Sequence, residues 1–124
     1  MRVYMMNINP DPMLTGKVKH FFKDGLNHLG KPTHDFVPDI NIGGLGVAPW
    51  HNQIKFNEKT KELMLTPNQD PNVNKTYLNG ELVLGNQPLK HGDWVLFGNN
   101  QLYIICVPPN EIDKSLLDYE DAMW

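Results

Sequence analysis

Apolar side chains recur at every second position in several short stretches of this chain. In Asn52-Gln53-Ile54-Lys55-Phe56 and again in Glu62-Leu63-Met64-Leu65-Thr66 the alternation is unbroken, and the polar run Asn57-Glu58-Lys59-Thr60-Lys61 between them supplies a hairpin loop. A period of two puts one face of each strand in a core and the other in water. Ile40 and Ile42 share a face in the same way. Tyr77-Leu78 and Leu82-Val83 flank Asn79-Gly80, a pair that tolerates the positive φ angles of a type I′ turn, and so predict a tight hairpin. Val3 to Ile8 reads as an opening strand, ended at Asn9-Pro10-Asp11-Pro12, where two prolines lock φ and remove N–H donors. Val18-Lys19-His20-Phe21-Phe22 follows, and a turn at Lys23-Asp24-Gly25 predicts a second hairpin into Leu26-Asn27-His28-Leu29-Gly30. There Leu26 and His28 fall on one face, Asn27 and Leu29 on the other. Trp94 to Gly98 and Gln101 to Val107 form a last pair that turns at Asn99-Asn100. Roughly ten short strands separated by turn residues predict an all-β fold, a two-sheet antiparallel β-sandwich.

The period changes after Pro108-Pro109. Asn110 is suited to cap a helix, and Ile112, Leu116, Tyr119 and Met123 recur at helical intervals, which predicts a short amphipathic C-terminal helix. The chain therefore divides into a sandwich domain over 1–109 and the start of a helix over 110–124. The apolar stripe of that helix either packs on its own domain or forms a dimer or coiled-coil seam. No stop signal precedes Trp124, so the sequence reads as a piece of a longer protein.

Composition narrows the function. The 124 residues suffice for one domain, and ten Gly with ten Pro suit a fold rich in turns. A net charge of −3, with Lys and Arg scattered along the chain, argues against nucleic acid as a partner. No run approaches a membrane span and no signal peptide opens the chain, so no direct membrane insertion is expected. Cys106 is the single cysteine, which excludes an intrachain disulfide and fits a reducing, cytoplasmic setting. It reads as a small buried hydrophobe in an apolar run. His20, His28, His34, His51 and His91 form no short pair at zinc spacing, so no metal site is expected. Thr15-Gly16-Lys17 lacks the upstream glycine of a phosphate-binding loop, and Gly43-Gly44-Leu45-Gly46 opens no helix. With no catalytic constellation and no cofactor motif, the chain reads as a binding protein and not an enzyme.

Four blocks in order then carry a resemblance: Leu26 to Lys31, Val47-Ala48-Pro49-Trp50-His51, Asn74-Lys75-Thr76-Tyr77-Leu78-Asn79-Gly80, and Leu89-Lys90-His91-Gly92-Asp93. They resemble the successive signatures of a forkhead-associated domain, with its SMAD-like sandwich. The segment from Met5 to Leu14, followed by Lys23-Asp24-Gly25, is similar to the start of that domain in third-family kinesins, the vesicle-transport motors. The resemblance implies two twisted sheets with a binding surface in loops at one end, and a phosphothreonine peptide as the typical ligand. It also implies a cytoskeleton-associated parent whose ATPase motor lies upstream.

Carried over residue by residue, the resemblance gives the candidate site. Lys31 after Gly30 stands where the family has arginine, and keeps a cation without the planar fork. Ala48-Pro49 stands where the family has Ser-Arg, so a hydroxyl and a guanidinium are both missing. Each hydrogen bond lost to a charged group costs on the order of 1.5 to 3 kcal/mol. Asn74, Thr76, Asn79 and Gly80 match their block, with Lys75 in place of a glycine. Asn74 and Asn79 offer amides able to grip the N–H and C=O groups of an extended peptide. The expected contact residues are Lys31, Asn52, Asn74, Lys75, Thr76 and Asn79, with Gly30, His51 and Gly80 as structural support. His51 is implied to tie loops together. Trp50 is either core or an exposed anchor. The expected partner is a protein or peptide: a cargo adaptor, a flanking coiled coil or a phosphopeptide, with a homodimer in the full-length protein.

Overall fold

A computed structural model of the chain describes residues 2–110, 112, 117 and 119. Eleven strands occur among the described residues: β1 Tyr4–Asn7, β2 Lys19–Phe21, β3 Gly25–Gly30, β4 Ile40–Asn41, β5 Asn52–Asn57, β6 Glu62–Pro67, β7 Thr76–Leu78, β8 Glu81–Leu82, β9 Gln87–Leu89, β10 Trp94–Phe97 and β11 Gln101–Cys106. They form two sheets, ordered β2-β1-β11-β10-β7-β8 and β4-β3-β5-β6-β9. The expected sandwich is the fold observed. Neighbours are antiparallel except β3 and β4, which run parallel with Leu29 opposite Ile40.

The alternating stretches do what a period of two requires. Ile54 and Phe56 of β5 and Leu63 and Leu65 of β6 point inward to meet Met5, Val95, Phe97, Tyr103 and Ile105 of the first sheet in one core. Strand β11 is different. Tyr103 and Ile105 face that core, while Leu102 and Ile104 face outward and are buried too, in a second cluster with Met6 and Ile8. A continuous apolar run is the mark of a strand covered on both sides. The outer cover comes from Ile112, Leu117 and Tyr119, which pack against this second cluster. Of the expected C-terminal helix, Ile112 and Tyr119 thus lie on the domain, while Leu116 and Met123 fall outside the described residues.

One hairpin is corrected. Among the described residues β2 pairs only with β1, and β3 pairs with β5 in the opposite sheet, so Lys23-Asp24-Gly25 is a crossover between sheets and not a hairpin turn. The reason lies in Asn27, which is buried and faces the core with Leu29. Its side chain accepts from Lys23 N–H at 3.0 Å and donates to the carbonyls of Lys23 and Ile54, stitching the crossover to β5. The sequence placed Asn27 and Leu29 on the same face as observed.

Candidate functional site

β3 ends at Gly30, β5 begins at Asn52 and β7 begins at Thr76, and these three points lie at one end of the sandwich. The loops 31–39, 42–51 and 68–75 leave from there. They are locked to one another through the backbone: Lys31 N–H donates to Ala48 O at 3.1 Å, Ile42 N–H to Gly30 O at 3.0 Å, and His51 N–H to Leu29 O at 3.1 Å. Gly30 makes the approach possible, because a Cβ there would sit 1.8 Å from the carbonyl oxygen of Pro49.

His51 is the pin. It is fully buried, its Nδ1 accepts from Ala48 N–H at 3.0 Å, and its Nε2 therefore carries the proton it donates to Lys75 O at 2.9 Å. One neutral imidazole thus joins the loop before β5 to the loop before β7. Burial holds its pKa below the ordinary histidine value, against the opposite pull of the Lys75 carbonyl. Lys75 O also accepts from Gly98 N–H at 2.9 Å, bringing the β10–β11 turn into the same frame.

The candidate contact residues separate into three groups. Lys31 and Lys75 are exposed and Asn74 is half-buried, and none of their side chains has a hydrogen-bond or ion-pair partner among the described residues. Asn74 is held by its backbone, through N–H donation to Asp70 O at 2.8 Å. These three remain available at the loop end. Asn52 and Thr76 do not. Both are buried, and Thr76 Oγ1 donates to Asn52 Oδ1 at 2.7 Å, so they brace β5 against β7 beneath the loops.

Asn79 is the third case. It stands beyond the far end of β7, and with Gly80 forms the predicted tight turn, at φ 50° and 86°. Its Oδ1 accepts from Trp94 N–H at 2.8 Å and its Nδ2 donates to Asp93 Oδ1 at 3.1 Å. Asp93 in turn accepts from Lys90 N–H at 2.7 Å. The amide of Asn79 is consumed in holding the β7–β8 turn to the start of β10, away from Asn74. The Leu89-to-Asp93 block belongs to this distal end, where His91 Nδ1 accepts from Val107 N–H at 2.9 Å. Asp93, which sequence reasoning does not mark as a partner of Asn79, lies in the block with Lys90 and His91.

Trp50 is an anchor at the surface. Its ring stacks on Phe36 with centroids 3.8 Å apart and meets His28 edge-on at 4.9 Å, while 41% of the residue stays exposed. The contact ties the 31–39 loop to the loop carrying Ala48-Pro49. Among the described residues, no group of three or more His, Cys, Asp or Glu side chains is arranged to hold a metal ion.

A sandwich that presents loops cross-braced from below, with free polar side chains at the tips, belongs to the class of loop-borne binding modules. A family comparison is consistent with this: the FHA domain model matches residues 29–98, over half of the chain. The chain belongs to the FHA domain family. Among full-length relatives it is 31% identical over 119 residues to the kinesin-like protein KIF13A of Homo sapiens, which covers 96% of this chain but only 6% of that protein. Its fold matches a chain solved in work on phosphothreonine-dependent FHA domain interactions, with a TM-score of 0.69 and 18% identity over 89% of this chain and 100% of that one. It also matches the yeast Dun1 FHA domain in complex with a doubly phosphorylated peptide, at a TM-score of 0.63 and 14% identity, covering 94% of this chain and 82% of that one.

Proposed function

We propose that this domain is a protein-interaction module of a kinesin-like microtubule motor, which holds an extended peptide segment at the loop end with weakened dependence on phosphate. The observation that carries the reading is the contrast within one site. Lys31, Asn74 and Lys75 have no side-chain partner among the described residues and stand on loops pinned by His51, whereas Ala48 and Pro49, on the same pinned loop, supply neither hydroxyl nor cation. The kinesin-like relatives support the parent assignment. In such a parent the segment bound is a cargo adaptor or a flanking part of the motor, and binding regulates dimerisation or autoinhibition. The cytoskeleton is then its location.

A second reading rests on Lys31, an exposed cation with no ion pair among the described residues, at the position where the family carries arginine: a working phosphothreonine reader in which Lys31 meets the phosphate as a point charge. Titrating matched threonine and phosphothreonine peptides while following backbone amide shifts separates the two. The first reading expects shifts at Lys31 and Asn74 from both peptides, with phosphate adding less than about tenfold in affinity. It also expects the double replacement A48S/P49R to raise phosphopeptide affinity by about tenfold or more. A phosphate preference near a hundredfold in the unaltered domain favours the second reading, and no shift with any peptide removes both.

A further inference from the structure

The two outer faces of the sandwich are unlike. That of the first sheet is covered by Ile112, Leu117 and Tyr119. On the second sheet the registers align one transverse row across four strands: Leu26 stands opposite Lys55, Lys55 opposite Met64, and Met64 opposite Pro88. A row of four strands spans about 14 Å. Leu26 is 44% and Met64 38% exposed. Lys55 separates Leu26 from Met64, so the adjacent apolar pair in the row is Met64 and Pro88, and these two line a depression.

The depression is a groove of about 360 Å³ over β5, β6 and β9, lined by Lys55, Glu62, Met64, Pro88 and Lys90 among others. Its floor is apolar at Met64 and Pro88. Its lining includes two lysines, and neither Lys55 nor Lys90 forms an ion pair with any described residue, although Glu62 lines the same groove. Two cations against one carboxylate leave the groove net positive on a chain whose overall charge is −3. β9 is the edge of this sheet, and its central residue is Pro88, which has no N–H to offer an incoming strand. A ligand is thereby directed onto the face and away from strand addition.

We propose that this face is a second docking site, separate from the loop end, for an acidic partner segment that seats one apolar side chain on Met64 and Pro88 while its carboxylates meet Lys55 and Lys90. The groove holds a side chain or two, which suits a peptide. Two lysines are too few for the counterion-driven binding of a nucleic acid. The lysine stems extend the apolar floor while their ammonium groups stay at the rim in water. Glu62 gives the groove polarity, since a carboxylate of the ligand is repelled at that end.

The test is an amide-shift titration of the whole chain with the peptide acetyl-Asp-Glu-Leu-Glu-Asp-amide at low salt. Shifts are expected at Lys55, Met64, Leu89 and Lys90 and not at Lys31 or Asn74, with affinity falling at least about threefold as salt rises from about 50 to 300 mM. Replacing the peptide's leucine by glycine, or Met64→Ala in the protein, is expected to weaken binding about fivefold. The double variant K55E/K90E is expected to abolish it while leaving the urea midpoint unchanged, because both side chains are on the surface. The proposal is overturned by an absence of shifts in this groove at about millimolar peptide, by equal shifts from a peptide with lysine at each acidic position, or by binding that survives K55E/K90E.

Discussion

The amide of Asn79 is held from both sides, by Trp94 N–H at 2.8 Å and by the carboxylate of Asp93 at 3.1 Å, on a backbone at φ 50°. The amide of Asn74 has no such partner among the described residues. The two positions therefore answer differently to the same substitution. Asn79→Ala is expected to cost about 1 to 2 kcal/mol of folding stability, since it strands Trp94 N–H and puts a Cβ-branched-free but non-glycine residue at a positive φ without a local hydrogen bond. Asn74→Ala is expected to leave stability within about 0.5 kcal/mol and to lower peptide affinity about tenfold. Urea unfolding with a peptide titration on each variant measures both quantities. Equal stability losses, or peptide binding indifferent to Asn74, would contradict the separation. Nothing in the sequence distinguishes these two amides, because both sit in one seven-residue block. Five residues of extended chain cover about 16 Å, and that distance carries Asn79 from the loop end to the opposite end of β7.

At the level of elements, the strands with strict alternation were legible and so were their turns, because period two and Asn-Gly chemistry are local properties. The crossover after β2 was not, since a Gly-containing turn reads the same whether the next strand joins its own sheet or the facing one. Only the burial of Asn27, a polar residue on an apolar face, distinguishes them. Strand β11 shows a related limit. Its run from Leu102 to Cys106 announced burial but not what covered the outer side. That cover is Ile112, Leu117 and Tyr119. Removing the chain after Asn110 is expected to lower stability by about 3 kcal/mol, roughly one for each partly buried side chain withdrawn from Met6, Ile8, Leu102 and Ile104. Chemical denaturation of the shortened and full chains, compared with dye binding to exposed apolar surface, checks it. Unchanged stability would show that these contacts contribute nothing.

For the whole molecule, pH is the common lever. Burial holds both His51 and His20 below the ordinary value of 6.5. The unfolded chain then takes up protons from about pH 6.5 downward while the native chain resists, so stability is present above that value and is lost as pH falls through it. Asp39 acts lower. Burial pushes its carboxyl up but is outweighed by His28 N–H and the Lys23 ammonium, so it stays below 3.8 and its contribution fades only below that value. The urea midpoint is expected to drop between about pH 7.5 and 5.5, and His20→Gln to shrink the drop while sparing the loops that His51 pins. A flat profile would show that neither imidazole is held neutral by the fold. The pairing of β1 with β11 reaches further than stability. Tyr4 lies opposite Cys106 in antiparallel register, so the first and last strands of the sandwich meet side by side at the end away from the loops, before the chain goes on to Ile112, Leu117 and Tyr119 on the outer face. A mechanical load passed along the chain through these two strands peels them apart one rung at a time from Tyr4 and Cys106, instead of shearing all rungs together. Once the cover of Ile112, Leu117 and Tyr119 is stripped, the zipper runs from that end, and the loops 31–39, 42–51 and 68–75, at the last rungs to open, keep their shape until it has run.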